Sequence, residues 1–248
     1  MPIREKKIVC GEYMEVDIYP IAKNQIRRRR KKEKASAPKQ KKLNDKNARR
    51  YFIQLVNVNF GEGDIHITLT YAILPESQEA GERAAANYLR RVAYARKKAR
   101  LPPLKYIMVT ECTSKQGKPV RLHHHIIMNG GLSRDELEDM WSHRGKRIGY
   151  TNADRLKPNE YGLEALARYL SKSANKKKRW SSSKNLKKPE IRTNDSKYTV
   201  RGVEKIARNE KEPKWEKKYP GWLITEALPT YNEITGWAIY LKLRRLRE

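Results

Sequence analysis

The sequence has only two cysteines, Cys10 and Cys112, far apart and in no Cys-x-x-Cys pair. That excludes a disulfide framework and a zinc ribbon, and it fits a reducing compartment. Long apolar runs are also missing: none approaches the ~18 residues of a membrane-spanning helix. The opening stretch MPIREKKIVCGEYMEVDIYP lacks the apolar core of a secretory signal. These absences give the expectation of a cytoplasmic protein with no membrane partner. Acidic charge is scarce as well, with 28 Asp plus Glu against 56 Lys plus Arg, so the formal net charge is +28 over 248 residues. No fold requires such an excess, and it repels itself in the compact state. A polyanionic partner would neutralise it, nucleic acid first and an anionic membrane surface second.

The chain is 38% hydrophobic and 34% charged, enough apolar content for one core of ordinary size with extensions. Residues 8–20 alternate partly and predict a strand or hairpin, and Arg27 to Lys42 has almost nothing to bury and reads as a mobile basic linker. Ala48, Phe52, Leu55 and Val56 predict a helix over 44–58, and IHITLTYAIL a strand over 65–74. Ala85, Tyr88, Val92, Ala95 and Ala99 give a helix over 76–100, with Arg90, Arg91, Lys97 and Lys98 on its other face. Strands at 104–112 and 120–129 flank the turn-like TSKQGKP and should pair antiparallel. Ser133 and Glu136 form a capping-box pattern before a short helix, with Leu132 and Leu137 as its hydrophobic staple. A helix over about 159–175, a polar stretch 176–197, a helix near 198–210 and strands near 222–228 and 236–243 complete the pattern. The fold class is α+β, with a central antiparallel sheet of about five strands and flanking helices. The expected divisions are residues 1–43 as strand or hairpin plus linker, 44–210 as the main domain, and 211–248 as C-terminal strands and basic tail packed on it.

Three of the five histidines are consecutive: His123, His124 and His125. Alternate side chains on a strand share a face, so His123 and His125 point one way and His124 the other, with Leu122, Ile126 and Met128. Glu111 ends the neighbouring strand and, in a normal hairpin, lies near His123. Two imidazoles and a carboxylate make a mixed nitrogen and oxygen set suited to Mg²⁺ or Mn²⁺, with imidazole favouring Mn²⁺. A histidine-rich solvated strand face is the plainer reading of the triplet. Zinc lacks a fourth ligand, since Cys112 points away from Glu111. Tyr169 and Lys172 lie about 60° apart at 100° per residue, off the edge of the apolar stripe of Leu163, Leu166, Ala167 and Leu170. There a tyrosine can reach a phosphate and a lysine can hold that phosphate or the phenolate; an ordinary boundary tyrosine is the plainer reading. Tyr161 is a rival. In HITLTY (66–71), Ile67, Leu69 and Tyr71 share one face, and His66, Thr68 and Thr70 the other. Two basic blocks read as phosphate contacts, Arg27, Arg28, Arg29 and Arg30 in one, Lys176, Lys177, Lys178 and Arg179 in the other. Trp180, after the second block, could stack on a base.

The order of these pieces resembles the HUH endonuclease superfamily, in particular rolling-circle replication initiator (Rep) proteins of plasmids and phages. HITLTY is similar to the first motif, RLHHHIIMNGG (121–131) to the His-hydrophobic-His motif, and ARYLSKS (167–173) to the Tyr-x-x-Lys motif. The likeness covers roughly residues 44–200. His124 stands where relatives carry an aliphatic residue and should be packed or hydrogen-bonded. Ser173 stands where two-tyrosine relatives carry the second tyrosine. The resemblance implies an HUH/RRM-like sheet and a DNA nickase. His123, His125 and Glu111 would hold the divalent ion, Tyr169 would attack the phosphodiester, and Lys172 would steady the phosphate. The products would be a 5′-phosphotyrosine and a free 3′-OH that primes synthesis. Implied partners are single-stranded origin DNA, a host DNA polymerase in a bacterial cytoplasm and a host helicase, since no G-x-x-x-x-G-K-[ST] loop occurs. With one tyrosine, a dimer or an activated water would serve termination.

Two other readings compete. A non-enzymatic basic protein could bind RNA or single-stranded DNA on the sheet, with incidental histidines. Within the enzyme class, a relaxase or single-strand transposase shares the motifs.

Overall fold

The computed structural model describes residues 1–21, 38–113, 119–173, 179–210 and 213–246. They form two compact units that do not follow the run of the chain: 1–58, 160–162 and 188–248 make the first, 59–159 and 163–187 the second. The long helix after the linker and the C-terminal strands both group with the N-terminal hairpin.

The chain opens with β1 (Ile3–Cys10) and β2 (Tyr13–Pro20), a hairpin turning at Gly11 with φ +68°. Helix α1 (Pro38–Asn59) follows. It starts earlier than the sequence reading, which assigned Lys41 and Lys42 to the linker. Proline at a first helical position and the lysines and glutamine after it are all compatible with helix. The second unit runs β3 (Ile65–Leu69), α2 (Gln78–Lys98), β4 (Tyr106–Thr113), β5 (Pro119–Met128), α3 (Arg134–Asp139), β6 (Ser142–His143), β7 (Lys146–Arg147), β8 (Thr151–Arg155), α4 (Glu164–Leu170), a 3-10 turn (Ser171–Ser173) and β9 (Ser181–Ser182). The first unit then resumes with β10 (Glu190–Asn194), α5 (Val200–Ala207), α6 (Trp215–Lys218), β11 (Trp222–Asn232) and β12 (Gly236–Arg245).

The second unit is built on a five-stranded antiparallel sheet in the order β8-β3-β5-β4-β9, with the histidine strand at its centre. One face is the core. Ile65, Ile67 and Leu69 from β3, Met108 from β4, and Leu122, Ile126 and Met128 from β5 pack against Ala85, Tyr88, Leu89 and Val92 of α2 and Leu137 of α3. Burying each such side chain contributes about 1.5–3 kcal/mol, so this face decides the strand registers. The capping box of Ser133 and Glu136 is formed, and Leu132 and Leu137 join the core beneath it. Trp141 lies edge-on to both Tyr71 and Tyr88 and donates its indole N–H to the Thr70 carbonyl at 2.6 Å. A Cβ on Gly149 would fall 2.2 Å from that same carbonyl oxygen, so only glycine fits. Arg96 is buried, but its guanidinium donates to the carbonyls of Pro102, Asn129 and Gly130, which answers the desolvation of the charge.

Two predicted elements are shorter than the sequence reading, which also gave no strand at β8, at β9 or at the β6–β7 pair. The strand predicted over 65–74 ends at Leu69. The helix predicted over 159–175 is reduced to α4 and the 3-10 turn within the described residues. Gly162 takes φ +63°, which breaks a right-handed helix just before Leu163.

The first unit has its own five-stranded antiparallel sheet, in the order β10-β1-β2-β12-β11. Ile3, Val16, Ile18, Ile239, Leu241 and Leu243 pack with Val203 of α5 and with Tyr198 and Tyr219. On β2 the buried Glu15 carboxylate accepts from Arg50 and from Gln54 of α1, and Asp17 accepts from Arg50 at 2.9 Å. The sequence reading called for one central sheet and did not separate this second one. Among the described residues, no helix is long and apolar enough to cross a membrane.

Candidate metal centre

The face of the β3–β5–β4 sheet turned away from α2 carries the polar residues. Glu111 pairs directly with His123, Val109 with His125, and Thr68 with His125 from the other side. Glu111, His123 and His125 each offer one ligand atom, and these atoms lie within 4.8 Å of one another. This His/Glu cluster could hold a metal ion.

The hydrogen bonds decide which nitrogens are presented. His123 Nδ1 lies 2.7 Å from the Arg121 carbonyl oxygen, which can only accept, so Nδ1 carries a proton. In the neutral ring Nε2 then holds the lone pair, and it faces Glu111 Oε2 at 3.3 Å. Hydrogen bonding to the Glu111 carboxylate raises the His123 pKa above its ordinary value. A proton on Nε2 thus occupies the place a cation would take. His125 is buried, with Nδ1 held 3.1 Å from Thr68 Oγ1 and 3.3 Å from His66 Nε2. Its Nε2 is buried and has no hydrogen-bond partner among the described residues. Native structures rarely bury a polar atom without a partner, and a metal ligand is one cause of such an orphan. Burial, then the neighbouring His66 and His123, pushes the His125 pKa down to about 4, so its lone pair stays available at neutral pH.

Sequence reasoning placed His66 and Thr68 on a polar strand face and gave them no task. In the structure they are the residues that orient His125, with the His66 and His125 rings stacked at 5.4 Å. A ligand imidazole normally donates its other N–H to such a partner, which fixes tautomer and ring orientation. The signal lay in the period-two face of β3, but nothing in the sequence gave its register against β5. Thr68→Val should therefore weaken Mn²⁺ binding by about tenfold to a hundredfold without unfolding the chain, read by calorimetric titration. Unchanged affinity would mean that Thr68 does not hold His125.

His124 points into the core, as the alternation requires. It is fully buried, 2.8 Å from Tyr71 Oη through Nε2 and 2.9 Å from Thr110 Oγ1 through Nδ1. Tyr71 spends its own proton on the Gly81 carbonyl, so His124 Nε2 must donate and Nδ1 accept. His124→Leu should keep Mn²⁺ affinity and lower stability by about 1–3 kcal/mol, because it leaves buried hydroxyls under-satisfied. Loss of Mn²⁺ binding in a folded His124→Leu protein would contradict this register. Cys112 Sγ contacts Gln78 of α2 at 3.4 Å, on the side away from the cluster.

Tyr169 lies in the last turn of α4 and is 46% exposed. Its ring meets the His125 ring edge-on at 5.5 Å, and Lys172 Nζ sits 4.9 Å from its centroid. Leu163, Ala167 and Leu170 are the buried side of this helix, and Leu166 is half-buried. The sheet, α4 and the 3-10 turn thus bring Tyr169, Lys172 and the Glu111–His123–His125 cluster together. Tyr161 is exposed and belongs to the other compact unit. Arg27 to Arg30 and Lys176 to Lys178 lie outside the described residues. Arg179 and Trp180 are half-buried just before β9, the short edge strand beside β4.

Residues 64–178 match the family described as replication-associated protein ORF2/G2P. The matched stretch is under half of the chain, but it holds the whole cluster, Tyr169 and Lys172, and it is consistent with a rolling-circle replication initiator. No curated protein and no solved structure matches the chain.

Proposed function

We propose that this protein is an HUH-type, metal-dependent DNA nickase that initiates rolling-circle replication of a plasmid or phage. The observation that carries the reading is an exposed tyrosine against a buried imidazole whose Nε2 has no partner among the described residues, inside the stretch matched to a replication-associated family. His123 and His125, through Nε2, and Glu111, through a carboxylate oxygen, would hold Mn²⁺ or Mg²⁺. The ion supplies Lewis-acid polarisation of the scissile phosphate when bound.

Tyr169 attacks phosphorus in line through its hydroxyl oxygen. The Tyr169 O–P bond forms as the P–O3′ bond breaks, the tyrosine loses its proton, and the 3′ oxygen gains one. The exchange is a transesterification and consumes no water or co-reactant. Lys172, one turn beyond Tyr169, would balance charge on the phosphate. The 5′ end stays on the protein and the free 3′-OH serves a host polymerase, with a host helicase opening the duplex. Closing the circle needs a second nucleophile, from Tyr169 of another copy or from an activated water. Arg179, Trp180 and the basic blocks Arg27–Arg30 and Lys176–Lys178 would contact the DNA.

Proton competition gives a first test. Metal needs His123 Nε2 deprotonated, and this group's pKa is raised. Mn²⁺ affinity should therefore climb by about tenfold per pH unit up to that raised pKa and level off above it. His125, with a pKa near 4, should add no second proton in that range. Calorimetric titrations across this pH range would show a slope of one; a slope near two would mean that His125 also titrates there and is not the preformed ligand described. The enzymatic reading is separated from simple nucleic-acid binding by a denaturing gel of protein, Mn²⁺ and origin single strand. A covalent protein–DNA band supports the nickase, and metal-indifferent binding without a band contradicts it.

A further inference from the structure

The outer face of α2 is strongly basic from Arg83 onward. From Arg83 to Arg100 the sequence holds seven Arg or Lys and no Asp or Glu. Arg83, Asn87, Arg90, Tyr94 and Lys97 are all exposed, and at 100° per residue they fall within a band about 80° wide, centred opposite the buried Val92. The row is about 21 Å long at 1.5 Å per residue. Tyr94 stands 72% exposed in its middle. An ordinary solvated helix face interleaves acids and bases three or four residues apart; here exposed Glu79 begins the band one turn before Arg83, and no acid follows it from Arg83 to Lys97. The helix dipole favours Lys97 and Lys98 in the last turn, but it does not reach Arg90 and gives no reason for Arg83 near the other end. Beyond α3, whose Met140 carbonyl is held by Arg91, the β6–β7 turn adds exposed Arg144 and Lys146.

We propose that the outer face of α2 is a second DNA-contact surface, which grips duplex DNA by its phosphates. It lies on the far side of the sheet from the metal cluster, since α2 packs on the face carrying Leu122, Ile126 and Met128, whereas His123 and His125 are on the other. A rigid row of fixed charges suits a stiff duplex, which meets it without being ordered first. A single strand would gain more from a groove with several stacking rings, and this row carries one aromatic, Tyr94. The surface would hold the flanking duplex while the cluster acts on an exposed strand. Naming DNA as the polyanion rests on the nickase reading; the charge geometry does not.

The test compares Arg83→Glu/Arg90→Glu/Lys97→Glu with a control of equal charge change at exposed positions of the first unit, Arg201→Glu/Lys214→Glu/Lys217→Glu. The probe is a random-sequence duplex of about 20 base pairs, titrated near 0.1 M salt and at two higher concentrations. The α2 variant should lose about tenfold or more in duplex affinity, and its log–log salt slope should fall by about 2–3. The control should lose no more than about threefold, and both should bind Mn²⁺ like the parent chain. Arg83→Gln/Arg90→Gln/Lys97→Gln serves if the Glu variant does not fold, with a smaller loss of the same kind. An equal loss in the control, or unchanged duplex affinity in the α2 variant, overturns the proposal and leaves an acidic protein surface as the partner of this row. The Mn²⁺ titrations and adduct gels report on the nickase reading separately, so either can fail alone.

Discussion

Tyr169→Phe is expected to form no covalent DNA adduct and to nick on the order of 10⁴-fold more slowly or worse, while binding Mn²⁺ and DNA within about twofold of the parent chain. The substitution removes one oxygen. The ring keeps its edge-on contact with His125 at 5.5 Å and its place beneath Lys172, so the helix and the cluster have no reason to move. What is lost is the attacking atom, and no other described side chain packs its hydroxyl-bearing ring on the ligand histidines. Quench-flow or gel kinetics on a single-stranded substrate would read the rate, and filter binding the affinity. Nicking at the parent rate would mean that the nucleophile is elsewhere, with Tyr161 the next to test. The same variant separates the two ways of ending a round. If a second copy supplies the second tyrosine, Tyr169→Phe protein added to a preformed parent adduct should leave it stalled, and free parent protein should release it. Efficient second cleavage by an isolated monomeric adduct would point to water instead.

His125→Ala should lose specific Mn²⁺ binding and nick about a thousandfold more slowly, the scale of several kcal/mol of Lewis-acid stabilisation. DNA affinity should stay within about twofold, because no basic side chain is touched. The argument rests on the position of this residue. His125 sits at the centre of the sheet, its Nδ1 is held by Thr68 and His66, and its buried Nε2 has no partner among the described residues. His123→Ala and Glu111→Ala should also abolish nicking, but each leaves the buried imidazole in place and some Mn²⁺ bound. Mn²⁺ titration, single-strand cleavage at saturating Mn²⁺ and DNA binding would each be measured on the three variants. Parent-rate cleavage by His125→Ala at saturating Mn²⁺ would remove it from the metal site.

Much of the second unit was legible because its signals are local. The alternation along β5 forces His123 and His125 onto one face, and a hairpin forces Glu111 beside His123. The capping box at Ser133 is a four-residue pattern, and it formed as read. What was not legible depends on distant partners. β3 reaches β5 only after α2 and β4 intervene, so the sequence could not say that Thr68 would face His125. β1 pairs with β10, with Glu5 opposite Asn194 far along the chain. β10 gave no alternation to read because every residue in it is exposed. That hidden pairing is why the sequence reading did not separate the second five-stranded sheet from the first. Gly162 could have limited the predicted helix, but glycine inside a helical pattern is tolerated often enough that only its φ of +63° settles the boundary.

The central claim is that Tyr169 becomes covalently joined to DNA in a metal-dependent step. The most direct measurement is mass spectrometry of the proteolysed adduct formed by the parent protein with Mn²⁺ and single-stranded DNA containing its origin. The account predicts one nucleotide-bearing peptide, modified on Tyr169, that is absent when Mn²⁺ is chelated. A modified Tyr161, or Mn²⁺-dependent cleavage that leaves no nucleotide on any tyrosine, would contradict it.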